Sequence, residues 1–218
     1  MRVAQKYAPK TLSEIVGQPA VVRRLQRLAD NPYPCCVLCE GPGGVGKSAT
    51  ASALIHDLNV DSLMVESVSA PDLSIERVRM LFGHTFRLRP MFGNWHVLLI
   101  EEMELIVSRH VSAALKDNLS EQNMPPHLIV VATSNDASGL DEALLQRFLV
   151  FPFGSGPSFA ESCEDRLRWI WSQEVGPDDP MPHSACDSGW RNNTYSMRRA
   201  IASLEAAVEL HRERMVTI

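Results

Sequence analysis

The sequence lacks the features that would place a protein in a membrane or outside the cell. Nowhere in its 218 residues does an apolar run approach the roughly 20 residues of a membrane-spanning helix. Residues 1–10, MRVAQKYAPK, have no apolar core of the kind that a secretory signal peptide requires. Internal repeats and low-complexity tracts are absent as well. These absences predict a cytoplasmic protein without a membrane partner.

The five cysteines form no pattern typical of metal binding or of a disulfide framework. Cys35, Cys36 and Cys39 fall in one apolar segment, where we expect them to be small core residues. Cys163 and Cys186 lack the spacing of zinc ligands. This cysteine usage fits the reducing cytosol.

An excess of positive charge is also missing, because the formal net charge is −5. The composition therefore gives no indication of nucleic-acid binding, and any basic surface would have to be local. With 45% hydrophobic and 22% charged residues, the chain has the composition of an ordinary globular protein. Its length suits one large domain or two small ones.

The most informative stretch that is present covers residues 35–50, CCVLCEGPGGVGKSAT. Residues 35–39 are an apolar run typical of a fully buried strand. Residues 41–48 then satisfy the pattern G-x-x-x-x-G-K-[ST] at every fixed position. Residues 49–58 are rich in Ala and Leu and predict a helix with an apolar face. Strand, glycine loop and helix together form the context that a phosphate-binding loop requires.

Each residue type in this loop has a physical reason. Glycines leave backbone N–H groups open to phosphate oxygens and permit positive φ, and the helix that follows adds its unpaired N–H groups. Lys47 can reach the β- and γ-phosphates, and the Ser48 hydroxyl can ligate Mg²⁺. An ordinary glycine-rich turn is the alternative interpretation. The residues predicted to contact a nucleotide here are Gly41, Pro42, Gly43, Gly44, Val45, Gly46, Lys47, Ser48 and Ala49.

A second signature lies at residues 96–103, HVLLIEEM. The aliphatic run 97–100 predicts a central parallel strand, and open α/β sheets bind ligands at the carboxyl ends of such strands. Glu101 is predicted to hold Mg²⁺ through coordinated water, and Glu102 to polarise the attacking water as general base. The alternative is an exposed, acidic strand end.

Residues 5–18, QKYAPKTLSEIVGQ, resemble the opening of clamp-loader ATPase subunits, a branch of the AAA+ superfamily, and SMRRAIASLEAA at 196–207 resembles their sensor-2 helix. In that family the opening segment wraps the adenine of ATP. The resemblance therefore implies base contacts from Tyr7, Pro9, Ile15 and Val16. Ala8 stands where the family usually has arginine. A packing arm at the N-terminus is the alternative interpretation.

The same resemblance implies roles for three further residues. Asn135, after a predicted strand at residues 128–132, matches the sensor-1 position, whose amide can hydrogen-bond the γ-phosphate or the lytic water; an ordinary turn residue is equally compatible with the local sequence. Arg147 matches the arginine finger that acts on a neighbouring subunit. Arg198 is the inherited sensor-2 residue, which reaches the γ-phosphate from the lid.

The resemblance implies an α/β fold in which a P-loop AAA+ core with a central parallel sheet covers residues 1–153. A small all-helical lid is expected over residues 154–218, after the linker FGSGP at 153–157. Members of the family continue into a helical collar that would begin where this sequence ends. The chain is therefore expected to be either truncated or a compact relative.

The implied function is that of an ATP- and Mg²⁺-dependent subunit of an AAA+ ring that loads a sliding clamp onto primed double-stranded DNA. Two alternatives stay open: a weakly hydrolysing regulatory or scaffold module, and another AAA+ motor such as a helicase subunit. The family normally has aspartate at the position of Glu101, and Mg²⁺ demands near-ideal octahedral geometry. That departure and the missing collar favour weak hydrolysis in isolation.

Overall fold

A five-stranded parallel sheet organises the structure, a computed structural model that describes residues 2–216. The strands lie in the order β2-β3-β4-β1-β5, and each pairs with its neighbours in parallel. Their bounds are β1 Cys35–Glu40, β2 Val65–Ser69, β3 His96–Glu101, β4 Leu128–Ser134 and β5 Leu149–Pro152. This confirms the predicted parallel α/β fold.

The central strands are apolar because helices cover both faces of the sheet. All seven residues of β4 are buried. The register pairs Cys39 of β1 with Thr133 of β4, and Ile100 of β3 with Ala132. The carboxyl ends of these three central strands therefore meet at one edge of the sheet.

Six helices accompany this sheet: α1 Val3–Lys6, α2 Pro19–Asp30, α3 Lys47–Asp57, α4 Ile75–Gly83, α5 Arg109–Asn118 and α6 Glu142–Leu145. The helix after the glycine loop, α3, buries Ala51, Ala53 and Leu54 in the same apolar cluster as Val37 and Cys39 of β1. On the opposite face, α4 and α5 pack in a second cluster with Leu98 and Val130. The glycine loop is thereby held at the carboxyl end of β1.

The C-terminal part consists of α7 Pro157–Glu174, α8 His183–Asp187 and α9 Met197–Val216, together with a small hairpin. The expectation of an all-helical lid omits this hairpin, which pairs β6 Trp190–Arg191 with β7 Thr194–Tyr195. The two turn residues, Asn192 and Asn193, have φ of 49° and 57°. Positive φ at both central residues is typical of tight hairpin turns, and Asn adopts it more readily than most residues.

The C-terminal helices share a hydrophobic core with the sheet. Phe159, Leu167 and Leu204 belong to the same buried cluster as Val37 of β1 and Leu54 of α3. The proposed division into a core and a lid at residues 153/154 stays a prediction, since apolar packing is continuous across it. No helix in the described range 2–216 is long and apolar enough to cross a membrane.

Candidate nucleotide-binding site

A cavity of about 470 Å³ lies at the carboxyl edge of the sheet. Its walls are the glycine loop (residues 43–49), the N-terminal segment (7–9 and 14–16), the end of β4 (133–135), and side chains of α7 and α9. Cavities of roughly 300–1,000 Å³ are typical of small-molecule sites. The cavity therefore has the size and the position that a nucleotide requires in an open α/β sheet.

Seven of the nine loop residues predicted to contact a nucleotide line this cavity, namely residues 43–49. Gly41 and Pro42 do not. Gly41 has a φ of 149°, and a Cβ at this position would lie 2.6 Å from the carbonyl oxygen of Phe153. Its lack of a side chain therefore serves the close approach of two backbone segments rather than an approach to the cavity.

Lys47 is buried, and all three N–H donors of its ammonium group are engaged. Nζ donates to the carbonyl oxygens of Gly41 (2.7 Å) and Pro42 (2.8 Å) and to Oδ1 of Asn135 (3.0 Å). Burial lowers the pKa of Lys47, Arg198 lowers it further, and Glu104 acts in the opposite sense. A phosphate that enters the loop must therefore replace at least one of these acceptors.

The acidic residues at the end of β3 and directly after it differ in their position relative to the cavity. Glu102 and Glu104 line the cavity, whereas Glu101, at the end of β3 beside Ser69, does not. Glu102 adopts the left-handed conformation with φ of 56°, and its backbone N–H donates to Oγ1 of Thr133 at 3.3 Å. A non-glycine residue held in this region is uncommon, and such residues are frequent in active sites.

Asn135 and Arg198, the two predicted sensor residues, lie at the cavity, but the predicted arginine finger does not. Asn135 and Arg198 both line it, and Asn135 Nδ2 donates to Oε1 of Glu104 at 2.6 Å. Arg147 is exposed after α6 and is not among the lining residues. An arginine that serves the site of a neighbouring subunit is expected on such an outer surface.

Tyr7, Pro9, Ile15 and Val16, which were predicted to contact the base, all line the cavity. The Tyr7 hydroxyl donates to Oε1 of Glu174 (2.7 Å), and its ring packs edge-on against Trp169 at 5.6 Å between centroids. Lys6 Nζ donates to the same carboxylate oxygen (2.6 Å), and Arg212 pairs with the other one. The packing role and the base-binding role of Tyr7 are therefore compatible.

Sequence reasoning missed four charged residues of the cavity: Glu14, Glu104, Arg166 and Glu205. Glu205 Oε1 accepts the backbone N–H of Val3 at 2.8 Å and so ties α1 to α9. Glu205 follows Arg198 by seven residues, which places both on one face of α9. That helical spacing is a signal from which Glu205 could have been found.

The residues that line the cavity suit a nucleotide with bound Mg²⁺ better than a metal ion alone. Among residues 2–216 no group of three His, Cys, Asp or Glu side chains could hold a metal. The exposed Ser48 hydroxyl does line the cavity. Mg²⁺ is commonly bound by few protein oxygens together with phosphate oxygens and water. A metal here would therefore depend on the nucleotide.

Comparisons with known proteins agree with this geometry. Residues 37–153 match the model of the ATPase family associated with various cellular activities (AAA). The chain is similar to the replication factor C small subunit of Thermofilum pendens, with 30% identity over 215 residues that cover 95% of this chain and 63% of the relative. For the small subunit of Staphylothermus marinus the identity is 30% over 211 residues, with 95% and 62% covered.

Among solved structures, the fold is similar to that of the Aeropyrum pernix Orc1 protein in complex with DNA. The TM-score is 0.71 at 18% sequence identity, and the likeness covers 97% of this chain and 64% of that one. The chain therefore spans slightly less than two thirds of the length of these relatives.

Proposed function

Since the chain belongs to the ATPase family associated with various cellular activities, we propose that it binds and hydrolyses ATP in this cavity as a subunit of a clamp-loader-type assembly. One observation carries the proposal: three groups of residues meet at one cavity. They are the glycine loop at 43–49, Glu102 and Asn135 at the carboxyl ends of β3 and β4, and Arg198 of α9.

The loop and the N-terminal segment would bind the two ends of ATP. Backbone N–H groups of residues 43–49 and the N-terminus of α3 suit the phosphates. Apolar side chains of Tyr7, Pro9, Ile15 and Val16 suit the adenine face. Lys47 would exchange its carbonyl acceptors for phosphate oxygens, which are charged and form stronger hydrogen bonds.

Residues at the carboxyl ends of β3 and β4 would carry out the hydrolysis step. Glu102 would take a proton from the attacking water as general base, and Asn135 would orient that water or the γ-phosphate. Arg198 would neutralise charge on the γ-phosphate from the lid side. Ser48 would hold the Mg²⁺ of the bound nucleotide, which would supply charge neutralisation of the phosphates; Glu101 lies outside the cavity and would act on it only through coordinated water.

The exposed position of Arg147 supports action between subunits. Its guanidinium would complete the site of a neighbouring AAA+ subunit, so that a ring would hold several composite sites. By its similarity to replication factor C small subunits, we infer that the assembly loads a sliding clamp onto primed double-stranded DNA in the cytoplasm.

The decisive experiment measures ATP hydrolysis by the chain alone, with partner subunits, and with partner subunits, sliding clamp and primed DNA. We expect turnover to rise at each addition, because an arginine finger contributes roughly 10³–10⁵ in rate. Turnover that is at its maximum in a dilute monomer would contradict a composite site. Stimulation by DNA without a clamp requirement would argue for a different motor.

Binding is tested separately with Lys47→Ala. The loss of charge-assisted hydrogen bonds, at about 1.5–3 kcal/mol each, predicts an ATP affinity lower by roughly 10- to 150-fold in calorimetry. Lys10→Ala is the matched control, because it removes the same charge from an exposed residue that does not line the cavity. Equal affinities for the Lys47→Ala variant and the parent would exclude this cavity as the nucleotide site.

A further inference from the structure

A line of hydrogen bonds joins Glu104 to Lys47 through the side-chain amide of Asn135. Asn135 Nδ2 donates to Oε1 of Glu104 at 2.6 Å, and Asn135 Oδ1 accepts from Lys47 Nζ at 3.0 Å. All three residues line the cavity. Glu104 lies in the short 3₁₀ helix Met103–Leu105, which follows the left-handed Glu102 and is anchored by the fully buried Met103.

The chemistry of the two outer groups permits only one orientation of the amide between them. An ionised carboxylate can only accept hydrogen bonds, and an ammonium group can only donate them. The Asn135 nitrogen must therefore face Glu104, and its oxygen must face Lys47. Nδ2 carries a second N–H, for which the structure shows no acceptor within the described part of the chain, and Asn135 is exposed at the cavity.

The carboxylate of Glu104 is held in its ionised form. Burial alone would raise its pKa, but the nearby backbone N–H groups of Glu104 and Asn135 and the side chains of Ser134 and Asn135 lower it, and the net pKa lies below the usual range. At neutral pH Glu104 is therefore an acceptor only. A protonated carboxyl group or a neutral amide at this position could donate as well as accept a hydrogen bond, and it would not fix the orientation of the Asn135 amide.

We propose that Glu104 is a positioning residue for ATP hydrolysis: it fixes the amide of Asn135 so that one N–H remains directed to the γ-phosphate or to the attacking water. The proposal rests on the ATPase function proposed above. It also explains why the third donor of Lys47 is occupied before a nucleotide enters, since the same orientation presents Asn135 Oδ1 to the ammonium group.

The test compares Glu104→Gln with Glu104→Asp in the complete chain with its partner subunits. Glutamine has the size of glutamate but can present either an oxygen or an NH₂ group, so the amide of Asn135 is no longer fixed. Aspartate is one methylene shorter but still accepts only. We expect kcat to fall roughly 10- to 100-fold for Glu104→Gln, the range of one hydrogen bond to a charged group, and less for Glu104→Asp. The Kd for ATP should stay within roughly threefold of the parent, because the effect lies in the hydrolysis step.

The relative kcat values of Glu104→Gln and Glu104→Asp distinguish a positioning role of Glu104 from a packing role. If Glu104 only filled space, glutamine would be the better replacement, and a kcat for Glu104→Gln equal to or above that of Glu104→Asp would overturn the proposal. Glu121→Gln is the matched control for loss of one carboxylate, since Glu121 is exposed and lies outside the cavity. A fall in kcat of the same size in that control would also overturn it.

A spectroscopic readout that needs no turnover separates this proposal from the proposed function. In ¹⁵N-labelled protein, the side-chain amide signals of Asn135, assigned by their loss in Asn135→Ala, should shift and exchange faster with solvent in Glu104→Gln. Unchanged Asn135 signals would overturn the positioning role even if kcat fell. If the parent complex hydrolyses no more ATP than a Lys47→Ala complex, the ATPase function itself fails, whatever the amide signals show.

Discussion

Gly44 is a position where the glycine loop contacts the start of α9. It occupies one of the variable positions of the G-x-x-x-x-G-K-[ST] pattern, so the motif itself gives no reason for a glycine. In the structure its φ is 83°, and a Cβ would lie 2.0 Å from Oγ of Ser196 and 3.3 Å from Cβ of Arg198. Its carbonyl oxygen accepts the backbone N–H of Met197 at 2.9 Å. Gly44→Ala should therefore disturb the contact between the loop and the start of α9.

The magnitude follows from two independent effects. A left-handed backbone costs an alanine about 1–2 kcal/mol. Displacing the side chain of Ser196, which is buried, adds roughly 1–3 kcal/mol, as overpacking of a filled interior does. Gly44→Ala should thus lower the free energy of unfolding by roughly 2–5 kcal/mol. Gly43→Ala is the matched control, because a Cβ at Gly43 would meet nothing within 4 Å and its φ is not left-handed. Its effect should stay within about 0.5 kcal/mol.

The assay is urea unfolding without nucleotide, with the midpoint and the slope m determined for each variant. The double variant Gly44→Ala/Ser196→Gly removes both serine atoms that the new Cβ would touch and leaves the backbone cost. We expect it to recover about half of the loss in a double-mutant cycle. Equal losses for Gly43→Ala and Gly44→Ala would refute the reasoning, and so would a double variant that recovers nothing.

Two further predictions concern subunit assembly and the N-terminal segment. Arg147→Ala should bind ATP like the parent but lose roughly 10³-fold or more in turnover. Mixing this variant with Glu102→Gln should restore part of the ATP hydrolysis rate. No recovery at any mixing ratio would contradict action between subunits. Glu174→Gln should lower unfolding free energy at pH 7 by about 1–3 kcal/mol, because hydrogen bonds from Lys6 and Tyr7 depress the pKa of Glu174. A carboxylate whose pKa is depressed in the folded state stabilises the fold at pH values above its unfolded pKa of about 4.3, and this stabilisation is lost as the pH falls. The difference in unfolding free energy between the parent and Glu174→Gln should therefore close when urea unfolding is repeated from pH 5 downward. A difference that does not depend on pH would contradict the ionic role.

The sheet could be predicted from the sequence because its central strands are continuous apolar runs between glycine or polar residues. Elements whose ends depend on single side chains were less predictable. Strand β2 begins at Val65 and not at the apolar residues before it, since the Asp61 side chain accepts the N–H of Leu63 and starts a 3₁₀ turn. Helix α5 begins at Arg109, because the side chain of Ser108 caps it by accepting the N–H of Val111. The β6–β7 hairpin has strands of two residues, too short to show a period.

For the site, the contiguous loop was predictable, whereas residues placed by tertiary packing were not. Arg166 and Glu205 reach the cavity only because α7 and α9 pack over the glycine loop. Glu104 could not be predicted, because it reaches Asn135 only through the 3₁₀ turn that follows the left-handed Glu102. Gly41 satisfies the motif but serves a backbone contact with Phe153.

The N-terminal segment is held by two different parts of the molecule. Its first residues are held by the C-terminal helices, because Val3 donates to Glu205 and both Lys6 and Tyr7 donate to Glu174. The next residues are held by the core, where the backbone N–H of Leu12 donates to Oδ2 of Asp57 at 3.0 Å.

Of the residues proposed to contact the base, Tyr7 therefore lies in the part held by the C-terminal helices and Ile15 in the part that follows Leu12. Because Arg198 and Glu205 lie on one face of α9, any rotation of that helix which moves Arg198 relative to the phosphates also moves Glu205 and the segment that it holds. The proposed contact of Arg198 to the γ-phosphate would thus be linked to the N-terminal segment through the hydrogen bond between Glu205 and Val3.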